Sequence, residues 1–197
     1  MQLLEVHHAA GQDWVEALTP EHTELRLLRL ETSGGLTDPI GRLTALQELY
    51  FRGQVSSLPE SFGSLTLLQV LDMSGADGAY WSYQCGDLNA PGMSDPGGLS
   101  DPGVLSSLPE SFGDLGSLAE LNMSRWVGLT NLPKSFGRLT ALQMLNSSGC
   151  AGLSSLPETF GGLAALQELD MSGCGGLGSH DNIYPDFLIS KSHRPAA

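Results

Sequence analysis

Leu166-Gln-Glu-Leu169-Asp-Met171-Ser-Gly-Cys174-Gly-Gly-Leu177 lies under Leu142-Gln-Met-Leu145-Asn-Ser147-Ser-Gly-Cys150-Ala-Gly-Leu153 at an offset of 24 residues, and the same frame recurs along most of the chain. Its other half reads Leu58-Pro-Glu-Ser-Phe62-Gly63, Leu108-Pro-Glu-Ser-Phe112-Gly113, Leu132-Pro-Lys-Ser-Phe136-Gly137 and Leu156-Pro-Glu-Thr-Phe160-Gly161. The Leu-x-apolar pairs Leu4/Val6, Leu28/Leu30, Leu49/Phe51, Leu71/Met73, Leu121/Met123, Leu145/Ser147 and Leu169/Met171 are offset by 24, 21, 22, 50, 24 and 24 residues. A period of two puts Leu and Met on one face of a short strand. One such unit is too small to bury that face, so successive strands are expected to stack in parallel about 4.7–4.9 Å apart around a shared core. Pro after Leu suits the first position of a helical or 3₁₀ turn. Phe then points inward, and Gly permits close approach between turns. The column Ile40, Phe62, Phe112, Phe136, Phe160 is accordingly core packing, not an aromatic ligand box.

These residues match L-x-x-L-x-L-x-x-[N/C]-x-L, and the chain resembles the leucine-rich repeat family over residues 3–178. The Leu-Pro-x-x-Phe-Gly-x-Leu half, with Cys150 and Cys174 at the Asn/Cys position, is most similar to the 24-residue intracellular repeats of plant disease-resistance receptors. The resemblance implies an α/β solenoid of seven or eight repeats, curved, with short parallel strands on the concave face and 3₁₀, helical or irregular segments on the convex side. It also implies a recognition or scaffold module. The alternative is a fragment of a larger leucine-rich repeat receptor or effector, including a ligase-type enzyme, without a function of its own.

The organisation expected is an N-terminal cap and degenerate first repeat at 1–24, a solenoid at 25–179 and a tail at 180–197. Residues 76–101, with Tyr80, Trp81, Tyr83 and two Asp-Pro-Gly turns, interrupt the array as a protruding loop or a degenerate repeat. Trp14, Val15 and Leu18 at one end, and Ile183, Tyr184, Phe187, Leu188 and Ile189 at the other, are candidates to cover the core.

Composition narrows the partners. The 197 residues carry 9 Lys and Arg against 22 Asp and Glu, a formal charge of −13, which speaks against nucleic acid and anionic membranes. The chain has 35 Leu but 6 Val and 3 Ile, and no run approaches the roughly 20 apolar residues of a membrane span. No signal peptide is readable, and three cysteines at no zinc-like spacing fit reduced thiols in a cytoplasmic, monomeric protein.

No catalytic residue, cofactor site or metal site is expected. Gly173-Cys-Gly-Gly-Leu-Gly178 fits G-x-G-x-x-G, but Ser179-His-Asp-Asn-Ile-Tyr-Pro185 is no helix start for a phosphate. Walker, His-Glu-x-x-His, Gly-x-Ser-x-Gly and kinase signatures are missing, so nothing pairs a nucleophile with a base. The side of the strands turned away from the core is therefore the expected binding face. Its candidates are Arg29, Tyr50, Arg52, Asp72, Glu120, Asn122, Met144, Asn146, Glu168 and Asp170, joined by Tyr80, Trp81 and Tyr83 as aromatic anchors. The expected occupant is a protein bearing a basic patch against Glu120, Glu168 and Asp170.

Overall fold

The structure is a computed structural model describing residues 3–10, 24–33, 36–75 and 105–177, with 3–10, 31–33 and 52–54 described by backbone alone. The strands are β1 (Leu3–Ala10), β2 (Leu27–Ser33), β3 (Glu48–Gln54), β4 (Val70–Asp72), β5 (Glu120–Asn122), β6 (Met144–Asn146) and β7 (Glu168–Asp170). They form one sheet in chain order, every neighbouring pair parallel. The register places Leu4, Leu28, Leu49, Leu71, Leu121, Leu145 and Leu169 side by side, the arrangement that the Leu-x-x-Leu-x-Leu spacing requires. β4 and β5 are direct neighbours although 50 residues separate Leu71 from Leu121, so the sheet runs unbroken across that step.

Behind the strands lie short 3₁₀ turns at Asp38–Arg42, Glu60–Ser64, Glu110–Asp114, Lys134–Arg138, Glu158–Gly162 and Gly175–Leu177. Pro is not the first helical residue in the Leu-Pro repeats, as its sequence position suggests. Pro59, Pro109, Pro133 and Pro157 stand one place earlier, in extended conformation. Each carbonyl accepts the Phe N–H three residues on, at 2.8 to 3.0 Å, and so opens the turn. The ring fixes φ near −65° while leaving ψ free, which suits an extended cap as well as a first turn.

The core is one continuous cluster of Leu, Phe and Met between the strands and the turns. Phe62, Phe112, Phe136 and Phe160 stack ring on ring with centroids 6.1 Å apart and planes within 3° of parallel. Gly follows each Phe because there is no room for more: a Cβ on Gly41, Gly63, Gly113 or Gly137 would overlap the carbonyl oxygen of Ser61, Ser111, Ser135 or Thr159 in the next rung. Gly161 ends the column with no atom within 4 Å of such a Cβ.

Polar groups tie the rungs at the same edge. Ser61, Ser135 and Thr159 hydroxyls donate to the carbonyls of Asp38, Glu110 and Lys134 in the preceding rung. The Glu60 carboxylate accepts the Ser111 N–H, and Glu110 accepts those of Lys134 and Ser135 at 3.2 and 3.1 Å. These bonds hold the Glu110 carboxyl below its ordinary value, the Ser135 N–H contributing most. Ser147 departs from the apolar pattern and is buried, yet its own hydroxyl is satisfied, donating to Asp170 O at 3.3 Å.

Cys150 and Cys174 hold the Asn/Cys position as expected. Their thiols donate to the carbonyls of Met123 and Ser147 at 3.1 and 3.2 Å, and burial pushes the Cys150 thiol up to about 11.

Candidate functional site

The outward side of the sheet is assembled by register. Arg29, Tyr50, Asp72, Asn122, Asn146 and Asp170 form its central column, and Glu48, Val70, Glu120, Met144 and Glu168 run beside them. Alternation along each strand dictates this, since the Leu before each central residue is turned to the core side and the residue after it shares that side. Arg52 lies on β3 opposite Glu31, where the backbone alone is described. Tyr80, Trp81 and Tyr83 lie outside the described residues. Leu27, which pairs with Glu48 on the flanking column, is buried, so that column begins at Glu48 and not at Leu27.

The two halves of the face differ in chemistry. In the N-terminal half the Arg29 guanidinium sits 5.5 Å from the centre of the Tyr50 ring. The Tyr50 hydroxyl donates to Glu48 Oε2 at 3.0 Å. Burial, then this bond and the nearby Glu48 charge, raise the Tyr50 phenol above its ordinary value, so it stays a neutral donor at physiological pH.

In the C-terminal half the central column repeats one local device. Asp72, Asn122, Asn146 and Asp170 each turn a side-chain oxygen back to accept the N–H of the serine two residues on, at 2.9 to 3.2 Å. This Asx turn closes each strand. The signal was available in the sequence as Asp/Asn-x-Ser at 72–74, 122–124, 146–148 and 170–172. The column therefore has structural work, which an assignment to binding alone misses. The bonds from Ser172 hold the Asp170 carboxyl below its ordinary value. Fixed in this way, the four side chains lose little further freedom when a ligand meets them.

Beside this column Glu120 and Glu168 are exposed and Met144 is half-buried between them. From Tyr50 to Asp170 the face forms a shallow open groove of about 560 Å³ that brings together Tyr50, Asp72, Glu120, Asn122, Met144, Asn146, Glu168 and Asp170. Arg29 stands beyond its N-terminal end. The groove has carboxylates along its length, from Asp72 through Glu120 to Glu168 and Asp170, the amides of Asn122 and Asn146 in its floor and one thioether for apolar contact. Among the described residues no cluster of three or more His, Cys, Asp or Glu is arranged to hold a metal ion. Among the same residues no helix is long and apolar enough to cross a membrane.

No protein-family model matches the sequence, and no curated protein matches it. Among solved structures the chain is similar to a leucine-rich repeat protein of Leptospira interrogans, at 20% identity over 88% of this chain and 49% of that one, with a TM-score of 0.43. It is also similar to a TDR receptor, at 23% identity over 75% of this chain and 22% of that one, TM-score 0.48. A third is the leucine-rich repeat domain of the type III effector XopL, at 20% identity over 86% and 76% of the two chains, TM-score 0.34. The chain spans about half the length of the first and under a quarter of the second. The assignment of the fold rests on the rungs themselves: the motif, the parallel register and the repeated 3₁₀ turns.

Proposed function

The chain is a leucine-rich repeat solenoid, and from that premise we propose that it is a non-catalytic protein-interaction module whose concave strand face docks a protein bearing a basic patch. The observation that carries this is the groove from Tyr50 to Asp170, where Glu120, Glu168 and Asp170 are exposed around Met144. A repeat array exists to present such a surface, because each rung adds one row of outward side chains without altering the core. The charge of the whole chain, −13, favours a basic partner over long range, while the three carboxylates select it at contact. Tyr80, Trp81 and Tyr83 of the 76–101 segment are proposed as further anchors.

The protein is proposed to act as a monomer in the cytoplasm. The buried free thiols of Cys150 and Cys174, each engaged with a backbone carbonyl, support a reducing compartment.

The test is affinity capture from a host lysate with the full chain, with Glu120→Lys/Asp170→Lys and with a variant lacking 76–101. A specific partner held by the full chain and lost on charge reversal supports docking on the strand face. One that is lost only in the deletion assigns recognition to that segment and overturns the concave-face reading. Retention by the full chain and both variants overturns both.

A further inference from the structure

Three rungs carry one and the same pentapeptide. Ser-Ser-Leu-Pro-Glu occupies residues 56–60, 106–110 and 154–158, each time on the limb that leads into a 3₁₀ turn. The second serine of each copy, Ser57, Ser107 and Ser155, is exposed and stands three residues before an exposed glutamate. Pro59, Pro109 and Pro157 hold the backbone between them extended, with ψ from 148° to 156°. In the remaining proline rung the frame is Thr130-Asn-Leu-Pro-Lys134, where that serine and the carboxylate are absent together. A serine followed by a carboxylate along an extended stretch is a charge pattern that acidophilic serine kinases select.

The sequence does not separate the three copies, but the fold does. The Glu60 carboxylate is taken up by the Ser111 N–H of the next rung, and that of Glu110 by the N–H groups of Lys134 and Ser135. Glu158 has no following Leu-Pro rung among the described residues, and its exposed carboxylate accepts no hydrogen bond among them. The leucine after the serine differs as well: Leu58 and Leu108 are buried in the core cluster, whereas Leu156 packs against it only partly buried. The Ser155 hydroxyl donates to Asn131 Oδ1 at 3.1 Å, an exposed bond that water replaces without stranding either group. Ser74, Ser111 and Ser117 also precede an acidic residue by three places. The Ser111 hydroxyl is buried and Ser74 and Ser117 are half-buried, so none of them presents its oxygen as Ser155 does.

We propose that Ser155 is a phosphorylation site for an acidophilic serine kinase, and that Glu158 is the residue by which such an enzyme selects it over the two identical copies. The Ser155 Oγ attacks the γ-phosphorus of ATP and its proton passes to the kinase's catalytic carboxylate. The bond from that phosphorus to the bridging oxygen of ADP breaks, leaving a serine phosphate and ADP. The phosphate adds a charge of about −1.5 to −2 at pH 7 to the last of the four proline rungs. The site shares no residue with the groove, so it stands whether or not the strand face docks a partner.

The full chain, a purified serine kinase that selects a carboxylate three places after the acceptor, and magnesium ATP supply the test, with phosphate located over time by peptide mass spectrometry. Synthetic peptides spanning 55–63, 105–113 and 153–161 are the unfolded reference, and all three are expected to be modified at comparable rates because they share the pentapeptide. In the folded chain Ser155 is expected to be modified at least about tenfold faster than Ser57 or Ser107, and Glu158→Gln to slow it at least about tenfold. Low rates at Ser57 and Ser107 in that variant report that the array is still folded. Should the variant unfold, the comparison of the three serines in the unsubstituted chain decides the matter alone. No phosphate on Ser155 in the folded chain, equal rates at the three serines, an unchanged rate in a folded Glu158→Gln, or peptides that the kinase refuses would each overturn the proposal.

Discussion

Trp126 donates its indole N–H to the carbonyl oxygen of Met73, one rung earlier in space and 53 residues earlier in sequence. It stands where Cys150 and Cys174 stand in the next two rungs, and each of those thiols reaches the equivalent carbonyl of its own preceding strand. An indole and a thiol share one task here, the satisfaction of a carbonyl at the buried end of a strand. Trp126→Phe keeps most of the apolar volume and removes the donor. It is expected to cost about 1–3 kcal/mol in urea denaturation, the penalty of an unsatisfied buried acceptor.

The thiols should be inert while the protein is folded. Burial pushes Cys150 up to about 11 and raises Cys174 as well, so at pH 8 roughly a thousandth of Cys150 is thiolate. Iodoacetamide at pH 8 is expected to leave both unmodified in native protein and to label both fully in urea, as read by peptide mass spectrometry. Rapid native labelling of Cys150 would contradict its packing.

The glycine column predicts a sharp contrast between neighbouring rungs. Gly137→Ala drives a methyl into the Thr159 carbonyl and is expected to destabilise by about 1–3 kcal/mol, the usual cost of overpacking. Gly161→Ala meets open space and is expected to stay within about 0.5 kcal/mol of the parent. Denaturant midpoints of the two variants provide the comparison.

Acid should loosen the turn edge. The folded Glu110 carboxyl lies below its unfolded value because Ser135 and Lys134 N–H groups bind the charged form. Its contribution is therefore complete above the unfolded pKa and is lost as pH falls through the folded one. The stability difference between the parent and Glu110→Gln is expected to be largest near neutrality and to shrink at acid pH. Urea midpoints across that range would show it, and a difference independent of pH would remove the carboxylate from the account.

The strand register was legible in the sequence because Leu must face the core at a fixed spacing, and any slip would turn it to water. The outward column from Arg29 to Asp170 followed from the same alternation. Three features were hidden for identifiable reasons. Trp126 breaks the Asn/Cys pattern by residue type while keeping the hydrogen bond that the pattern serves. The bond from Glu110 to the amides of Lys134 and Ser135 joins residues that meet only once the rungs stack. The position of Pro59, Pro109, Pro133 and Pro157 depends on ψ, which proline leaves open. Alternation alone would turn Leu27 to the open face, and the structure buries it instead.

The phenylalanine stack has a geometric consequence for whatever meets the other side. Strands in a sheet are spaced about 4.8 Å apart, whereas the rings behind them are spaced 6.1 Å. Rungs farther apart at the back than at the front must splay like the leaves of a fan, each tilted against the last by the same increment. The Phe62–Phe112 step equals the others, so the ring column keeps its spacing past the long connection between β4 and β5. A rounded partner can therefore touch many rungs of the groove together, whereas a flat one would bridge its rims and leave the floor to solvent.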